Sequence, residues 1–360
     1  MENDNTMVKV AHLIGSLKVG GAERFIIDLC KAQKGLGLKP TIVSLGGSKD
    51  ILFSICQHNH IPVISYSGQP FIKLCRVFFT LLNFDVIHVH SPHTLKYIQF
   101  FLPFLNANVI YTRHGAAPLS ACHWKKLHLK AKKYIKSIIF VSQEGKDNFQ
   151  ETHSWQEVPN RVIDNGVIIN SISKPAQQTT LLRIGSVGRM IPLKNQLGLL
   201  KAINRLDKQG QESIDLHFFG DGECNEALTE YAVEKLAAVD VTFHGMVSDR
   251  EKIYSSFDVL VVCSETEGLS MVIIEAMANK IPVIATNVGG NPKLVINDKT
   301  GWLFEYDDEE KLTEIITRVM KNKQLITETG EHAFSYIREN FSIESSAKKY
   351  NEIYASTVGS

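Results

Sequence analysis

From one end of the chain to the other, short runs of apolar residues alternate with longer segments in which apolar residues recur every three or four positions. The short runs read as strands buried on both faces, the longer segments as amphipathic helices, and their alternation as βαβ units on a parallel sheet. In the first half the pattern predicts strands over 8–16, 41–45, 62–65, 86–90, 109–112 and 137–141, with helices between them. A polar stretch at 171–180, with Pro175, Gln177 and Gln178, reads as a linker. Beyond it strands are predicted over 182–188, 216–220, 241–245, 259–263, 282–285 and 302–304. The fold class is therefore α/β, with two doubly wound, Rossmann-like domains. Ligands of such sheets bind at the carboxyl ends of the strands, so the loops 185–194, 220–223, 264–270 and 286–290 should converge on one cleft.

A chain of 360 residues exceeds what one hydrophobic core usually supports, which agrees with two domains. With 44% hydrophobic and 21% charged residues it is neither disordered nor a disulfide scaffold. Its six cysteines, Cys30, Cys56, Cys75, Cys122, Cys224 and Cys263, form no CxxC pair, which points to reduced thiols and a cytosolic location. The first residues, Met1-Glu2-Asn3-Asp4-Asn5, lack the features of a signal peptide, and no apolar run is long enough to span a membrane.

Charge divides unevenly. Residues 1–172 hold 19 basic and 11 acidic side chains and the remainder 20 and 27, so halves of opposite sign underlie a net charge of +1. No acidic residue lies between Asp85 and Glu144, yet that stretch carries Lys125, Lys126, Lys130, Lys132 and Lys133 among other bases. Trp124, Leu127, Ala131, Tyr134, Ile135 and Ile138 recur at helical spacing, which predicts an amphipathic helix through the 120s and 130s with lysines outermost. Such a helix suits an anionic bilayer or another phosphate-bearing partner, and equally a solvated face over its own sheet.

The stretch with most chemistry runs from Ser264 to Ala278. Glu267 and Glu275 stand with seven residues between them, Gly268 permits close backbone approach, and the amides of Leu269, Ser270 and Met271 fall at a predicted helix start, where a diphosphate is favoured. This stretch resembles the E-x7-E motif of the retaining glycosyltransferases of family four, bacterial surface-polysaccharide type, which have the GT-B fold of two Rossmann-like domains facing across a cleft. Gly188-Arg189 with Lys194 resembles the family's G-R-x-x-x-x-K element, Phe219-Gly220-Asp221-Gly222 its G-x-G loop, and Phe243-His244-Gly245 the strand after it. Val288-Gly289-Gly290 followed by Gly301 is similar to its VGG region, with Phe304 where a glycine usually ends the motif. In the first half Gly20-Gly21-Ala22-Glu23-Arg24, Asp85 to His90, Thr112-Arg113-His114-Gly115 and Val162 to Val167 resemble its glycine loop, D-V-I-H-x-H strand, histidine loop and V-I-x-N-G-V segment.

The resemblance implies an acceptor-binding domain over 1–172, a donor-binding domain over 173–340, and a helix over 341–360 that crosses back to the first. It implies that His114, Glu267, Arg189 and Lys194 are catalytic, and that Gly188, Gly220, Gly245, Gly268, Leu269, Ser270 and Glu275 complete the donor site. In it Glu275 holds the ribose, Glu267 contacts the transferred sugar, and Arg189 and Lys194 neutralise the diphosphate in place of a metal ion. Gly20, Gly21, Arg24, His90 and Arg113 would serve the acceptor or phosphate loop. The expected activity is metal-independent, retaining transfer of a hexose or N-acetylhexosamine from a nucleotide diphosphate sugar, UDP favoured, to a lipid-linked saccharide. The protein is then cytoplasmic and peripheral on the anionic inner face of the membrane through Lys125, Lys126, Lys130 and Lys133, and through the apolar, helix-forming stretches 71–82 and 97–105, with no cofactor and no nucleic-acid partner. A nucleotide-sugar epimerase of the same fold, or a non-catalytic sugar-nucleotide-binding partner, are the alternatives. His88, His90 and His93 invite a zinc reading that no neighbouring Asp, Glu or Cys completes.

Overall fold

A computed structural model describes residues 7–66, 69–169 and 180–358. The chain divides into two units, Met1–Ile168 with Ile343–Ser360, and Ile169–Ser342. The linker predicted at 171–180 lies outside the described residues except for Thr180.

The first unit begins β1 (Lys9–Ile14), α1 (Gly21–Gly35), β2 (Lys39–Ser44), α2 (Ile51–His58), β3 (Val63–Ser65), α3 (Pro70–Leu81), β4 (Val86–Val89) and α4 (Pro92–Ile98). It continues β5 (Asn108–Arg113), α5 (Cys122–Ala131), β6 (Ile135–Phe140), α6 (Gln143–His153) and β7 (Asn160–Val162). Its seven strands are parallel in the order β3-β2-β1-β4-β5-β6-β7. The order reverses between β1 and β4, where chains leaving the two strands turn to opposite faces and open a crevice at the carboxyl edge.

The second unit repeats the plan. It runs β8 (Leu182–Val187), α7 (Gln196–Asn204), α8 (Lys208–Gln211), β9 (Ile214–Phe219), α9 (Asn225–Lys235), β10 (Asp240–Phe243) and α10 (Arg250–Ser255). Then come β11 (Val259–Val262), α11 (Met271–Met277), β12 (Val283–Thr286), α12 (Asn291–Leu294), β13 (Gly301–Phe304), α13 (Glu309–Lys321) and α14 (Lys323–Asn340). The strand order β10-β9-β8-β11-β12-β13, all parallel, places its switch between β8 and β11. The chain then returns to the first unit as α15 (Ile343–Val358), which packs on α1. Tyr350 and Tyr354 of α15 are fully buried there.

Each sheet is buried on both faces. In the first unit Ala11, Leu13, Val43, Ile87, Val89, Val109 and Ile138 are at most 2% exposed, and Ile184, Leu216, Val259, Val261 and Ile284 do the same in the second. That is why the strands read as continuous apolar runs rather than alternating ones.

Each of the twelve expected strands is present, with ends shifted by one or two residues. The edge strand β7 was not expected: Asn160-Arg161-Val162 is too short and polar to stand out. Two expectations are corrected. The helix over the 120s and 130s stops at Ala131, a 3-10 turn follows over Lys132–Tyr134, and Ile135 and Ile138 belong to β6. The stretch 97–105 is not a helix either, because α4 ends at Ile98 and only a 3-10 turn at Leu102–Phe104 follows, with Pro103 inside it. Among the described residues no helix is long and apolar enough to cross a membrane.

Candidate active site

In the second unit the segments after β8, β9, β11 and β12 all leave the carboxyl edge of the sheet; backbone hydrogen bonds tie the first three together, and Thr286 Oγ1 at the end of β12 donates to the Ser264 carbonyl at 2.7 Å. Gly188 and Met190 donate to the carbonyls of Phe219 and Asp221 at 2.9 and 3.0 Å, Cys224 donates back to Met190 at 2.9 Å, and Glu265 donates to Leu193 at 2.9 Å. Two glycines make this closeness attainable. A Cβ on Gly220 (φ +136°) would stand 1.9 Å from the Gly188 carbonyl oxygen, and one on Gly289 (φ +56°) would stand 1.9 Å from that of Glu267. Any side chain at either position would drive a charged loop out of place.

The charges converge on the switch between β8 and β11. Lys194 Nζ donates to Glu267 Oε1 at 2.5 Å, and Ser264 Oγ donates to the same oxygen at 2.8 Å. Glu267 Oε2 takes no bond from the described residues, which leaves it for a ligand hydroxyl. Arg189 is exposed and makes no ion pair among the described residues, while its carbonyl accepts from Gln196 Nε2 at 3.0 Å. An exposed guanidinium on an anchored backbone, five residues before a paired ammonium on the same segment, is suited to an incoming polyanion. Gly245 (φ +65°) accepts from the Gly220 amide at 2.9 Å, so the G-x-G loop is held from its far side as well.

Glu275 sits differently from its partner in the motif. It is 4% exposed; Arg250 holds Oε1 through Nε at 3.0 Å and Nη2 at 2.8 Å, and Tyr254 OH donates to Oε2 at 2.6 Å. Arg250 and Tyr254 stand four apart on α10, on one face, and sequence reasoning did not single them out. Only the i, i+4 pairing of an arginine and a tyrosine behind the N-cap Asp249 hinted at a shared acidic target. The helix α11 that carries Glu275 has seven residues, begins at Met271, and has Ser270 as an N-cap whose side chain makes no capping bond. Gly268, Leu269 and Ser270 thus form the turn that leads into it.

The first unit gathers polar groups at its own switch point. Buried His12 on β1 and His88 and His90 at β4, with half-buried His114 after β5, form a cluster. His12 Nδ1 meets His90 Nε2 at 2.9 Å, and His90 Nδ1 meets His114 Nε2 at 3.0 Å. His12 Nε2 meets Gln33 Oε1 at 2.8 Å, and His88 bonds Tyr354 OH and Thr112 Oγ1 at 2.7 and 2.6 Å. The ligand atoms of His12, His88 and His90 lie within 4.8 Å of one another, but every ring nitrogen of the three already has a protein partner. His12, not His93, is the third member; His93 instead sets its ring edge against Trp124.

Of the remaining candidates, Gly20 is the N-cap of α1 and Gly21 its first residue, with Arg24 buried one turn along. Arg113 points inward: it is 4% exposed, Nη2 donates to the carbonyls of Gly115 and Ala117, and the guanidinium lies over the Phe149 ring. It therefore shapes the loop around His114 rather than meeting solvent. Lys125, Lys126, Lys130 and Lys133 are all exposed.

Burial lowers His12 and His114 to about 4 and holds His88 and His90 well below the usual imidazole value. The unfolded chain takes up protons near pH 6.5 while the folded cluster stays neutral, so the stability this gives is whole above about 6.5 and falls as pH drops towards 4. The urea midpoint of the first unit should therefore be lower at pH 5 than at pH 7. Equal midpoints would mean that the folded cluster accepts protons as readily as free histidine.

Comparison with known proteins follows the division into units. Residues 19–170 match the profile of the family described as Glycosyltransferase Family 4, and residues 168–336 that of Glycosyl transferases group 1. The chain is 25% identical over 260 residues to the poly(ribitol-phosphate) alpha-N-acetylglucosaminyltransferase of Staphylococcus aureus, covering 64% of this chain and 52% of that protein, so it spans about half that relative's length. It is 26% identical over 298 residues to the UDP-Gal:alpha-D-GlcNAc-diphosphoundecaprenol alpha-1,3-galactosyltransferase of Escherichia coli, covering 77% of this chain and 76% of that one. Among solved structures, Anabaena HepE in complex with UDP and glucose superposes with a TM-score of 0.86 at 21% identity, over 97% of this chain and 100% of that one, a likeness of fold.

Proposed function

Since the chain belongs to the glycosyltransferases that join a Family 4 domain to a group 1 domain, we propose that it moves a hexose or N-acetylhexosamine from a UDP-sugar to a lipid-linked saccharide in surface-polysaccharide assembly, with retention of anomeric configuration. The observation that carries this reading is the Lys194–Glu267 pair at the switch of the second sheet, with exposed Arg189 on the same segment as Lys194. A cation pair answers the charge that develops as a nucleoside diphosphate departs, and a carboxylate with one open oxygen answers a sugar hydroxyl. In the step itself the bond from the anomeric carbon to the phosphate oxygen breaks while the acceptor oxygen bonds to that carbon on the same face. The acceptor's proton passes to the leaving phosphate oxygen, so no separate protein base is needed, and the two protein cations do the work for which other transferases use a metal ion. An alpha-linked product from UDP-Gal, as the Escherichia coli relative's name states, is consistent with retention.

The nucleotide is tested without an acceptor. UDP at a hundred times its Kd should stabilise the protein by about 2.7 kcal/mol, and Arg189→Ala should lose most of that shift. Stabilisation by ADP or GDP but not by UDP would reassign the donor, and none by any nucleotide would end the reading.

The acceptor falls to the first unit in this proposal, and the surface of that unit suits a bilayer. Phe71 and Phe79 on α3 are exposed, as are Phe100 and Phe104 beyond α4 and Leu129 among the lysines of α5. The Phe78 and Phe101 rings meet at 4.8 Å, which sets α3 against the segment after α4, and Lys96 lies over the Trp124 ring, which sets α4 against α5. Bases beside exposed aromatic rings match the headgroup zone of an anionic membrane. Replacing Lys125, Lys126, Lys130 and Lys133 with glutamine should weaken binding to phosphatidylglycerol vesicles by up to about 1 kcal/mol per charge at low salt and by less at high salt. Sedimentation that is unchanged by the four substitutions would remove the membrane from the proposal.

A further inference from the structure

His114 Nδ1 is shielded from solvent and has no hydrogen-bond partner among the described residues, although a buried imidazole nitrogen without one is costly. Its chemistry is set from the other end of a chain of contacts. Tyr354 OH lies 2.7 Å from His88 Nδ1 and 3.3 Å from Gln33 Nε2. Hydroxyl donors make the shorter bonds, so the single phenolic proton goes to His88, and the hydroxyl accepts from the Gln33 amide nitrogen. That turns the Gln33 carbonyl towards His12, and a carbonyl can only accept, so His12 carries its proton on Nε2. A neutral imidazole has one N–H, which leaves His12 Nδ1 bare and makes His90 Nε2 the donor to it at 2.9 Å. By the same step His90 Nδ1 is bare and takes its bond from His114 Nε2–H at 3.0 Å. The chain ends at His114 Nδ1 with a lone pair. The reasoning needs neutral rings, and burial keeps all of them neutral in the physiological range.

We propose that Gln33, His12 and His90 are positioning residues that hold His114 in its Nε2–H tautomer, so that Nδ1 stands as a hydrogen-bond acceptor for a sugar hydroxyl of the substrate. The proposal rests on glycosyl transfer only for the identity of that hydroxyl. Nothing in the local sequence around His114 would select this tautomer; the selection comes from Gln33 on α1, and behind it from Tyr354 on α15.

The test is nitrogen NMR of the whole protein labelled with ring-15N histidine, read beside turnover. In the wild type His12, His90 and His114 should each show a protonated Nε2 and a bare Nδ1. Gln33→Leu removes the acceptor that sets the direction, so His114 should become a mixture of tautomers and kcat should fall about ten-fold, the scale of outer-shell partners, with stabilisation by UDP retained. Tyr97→Phe removes a hydroxyl of the same unit that has no hydrogen-bond partner among the described residues and lies outside the chain of contacts, and should change neither readout. A protonated Nδ1 at His114 in the wild type overturns the proposal at once, even if Gln33→Leu fails to fold. So does a Gln33→Leu protein whose tautomers or turnover match the wild type. Loss of UDP stabilisation in the wild type would instead sink the transfer reading and leave the tautomer assignment standing.

Discussion

Replacing Lys194 with alanine should lower kcat by about 10²- to 10³-fold, the cost of deleting one group aimed at developing charge, if it serves as proposed above. The ammonium is held before substrate arrives, through 2.5 Å to Glu267, on a loop whose position is fixed by Glu265 donating to the Leu193 carbonyl. A group already in place needs no reorganisation when the diphosphate begins to leave, so its loss falls mainly on kcat rather than on KM. Lys194→Arg keeps the charge but replaces a compact ammonium with a planar fork, and should recover only part of the rate. Steady-state kinetics with a synthetic acceptor would decide between these outcomes. A variant that raised KM and left kcat unchanged would make Lys194 a binding group and nothing more.

Arg250→Ala should lower the stability of the second unit by about 3 kcal/mol, because removing one member of a buried ion pair strands the other. Glu275 has little exposure to water, and without Arg250 its carboxylate keeps, among the described residues, only the Tyr254 hydroxyl. For a unit of this size that is a fall of about 6–12 °C in Tm. Combining Arg250→Ala with Glu275→Gln should restore much of the loss, since the carboxylate that needed a partner is then neutral. Calorimetry on the single and double variants measures both. A double variant no more stable than Arg250→Ala alone would mean that the arginine acts through packing and not through Glu275.

The strands were legible because a parallel sheet covered on both faces is written as unbroken apolar runs. The same property misled where Ile135 and Ile138 continued a helical spacing past Ala131: a strand that is apolar on both faces satisfies any period, so the spacing could not show where α5 stopped. Pro103 and the turn around it cut short the apolar stretch 97–105 in a way composition does not reveal. That Lys194 and Glu267 meet was legible, because both follow strands that end at the carboxyl edge of one sheet. Arg250 is 25 residues from Glu275, and His12 is 78 from His90. Those contacts exist only once sheets have formed, and no local pattern of a single sequence contains them. Glu275 itself was legible, but its enclosure by α10 was not.

The return of α15 to the first unit bears on the order in which the protein is made. On the ribosome the first unit emerges with a groove along α1 unfilled, and the groove stays open through synthesis of the whole second unit, until residue 358 is in hand. Domains otherwise fold as they emerge. Here the second unit has all of its residues before the first has Tyr350 and Tyr354, which meet Phe25, Gln33 and His88. A released chain that ended just short of residue 343 would keep every residue of the second unit and would leave Phe25, Gln33 and His88 of the first without the two tyrosines that meet them.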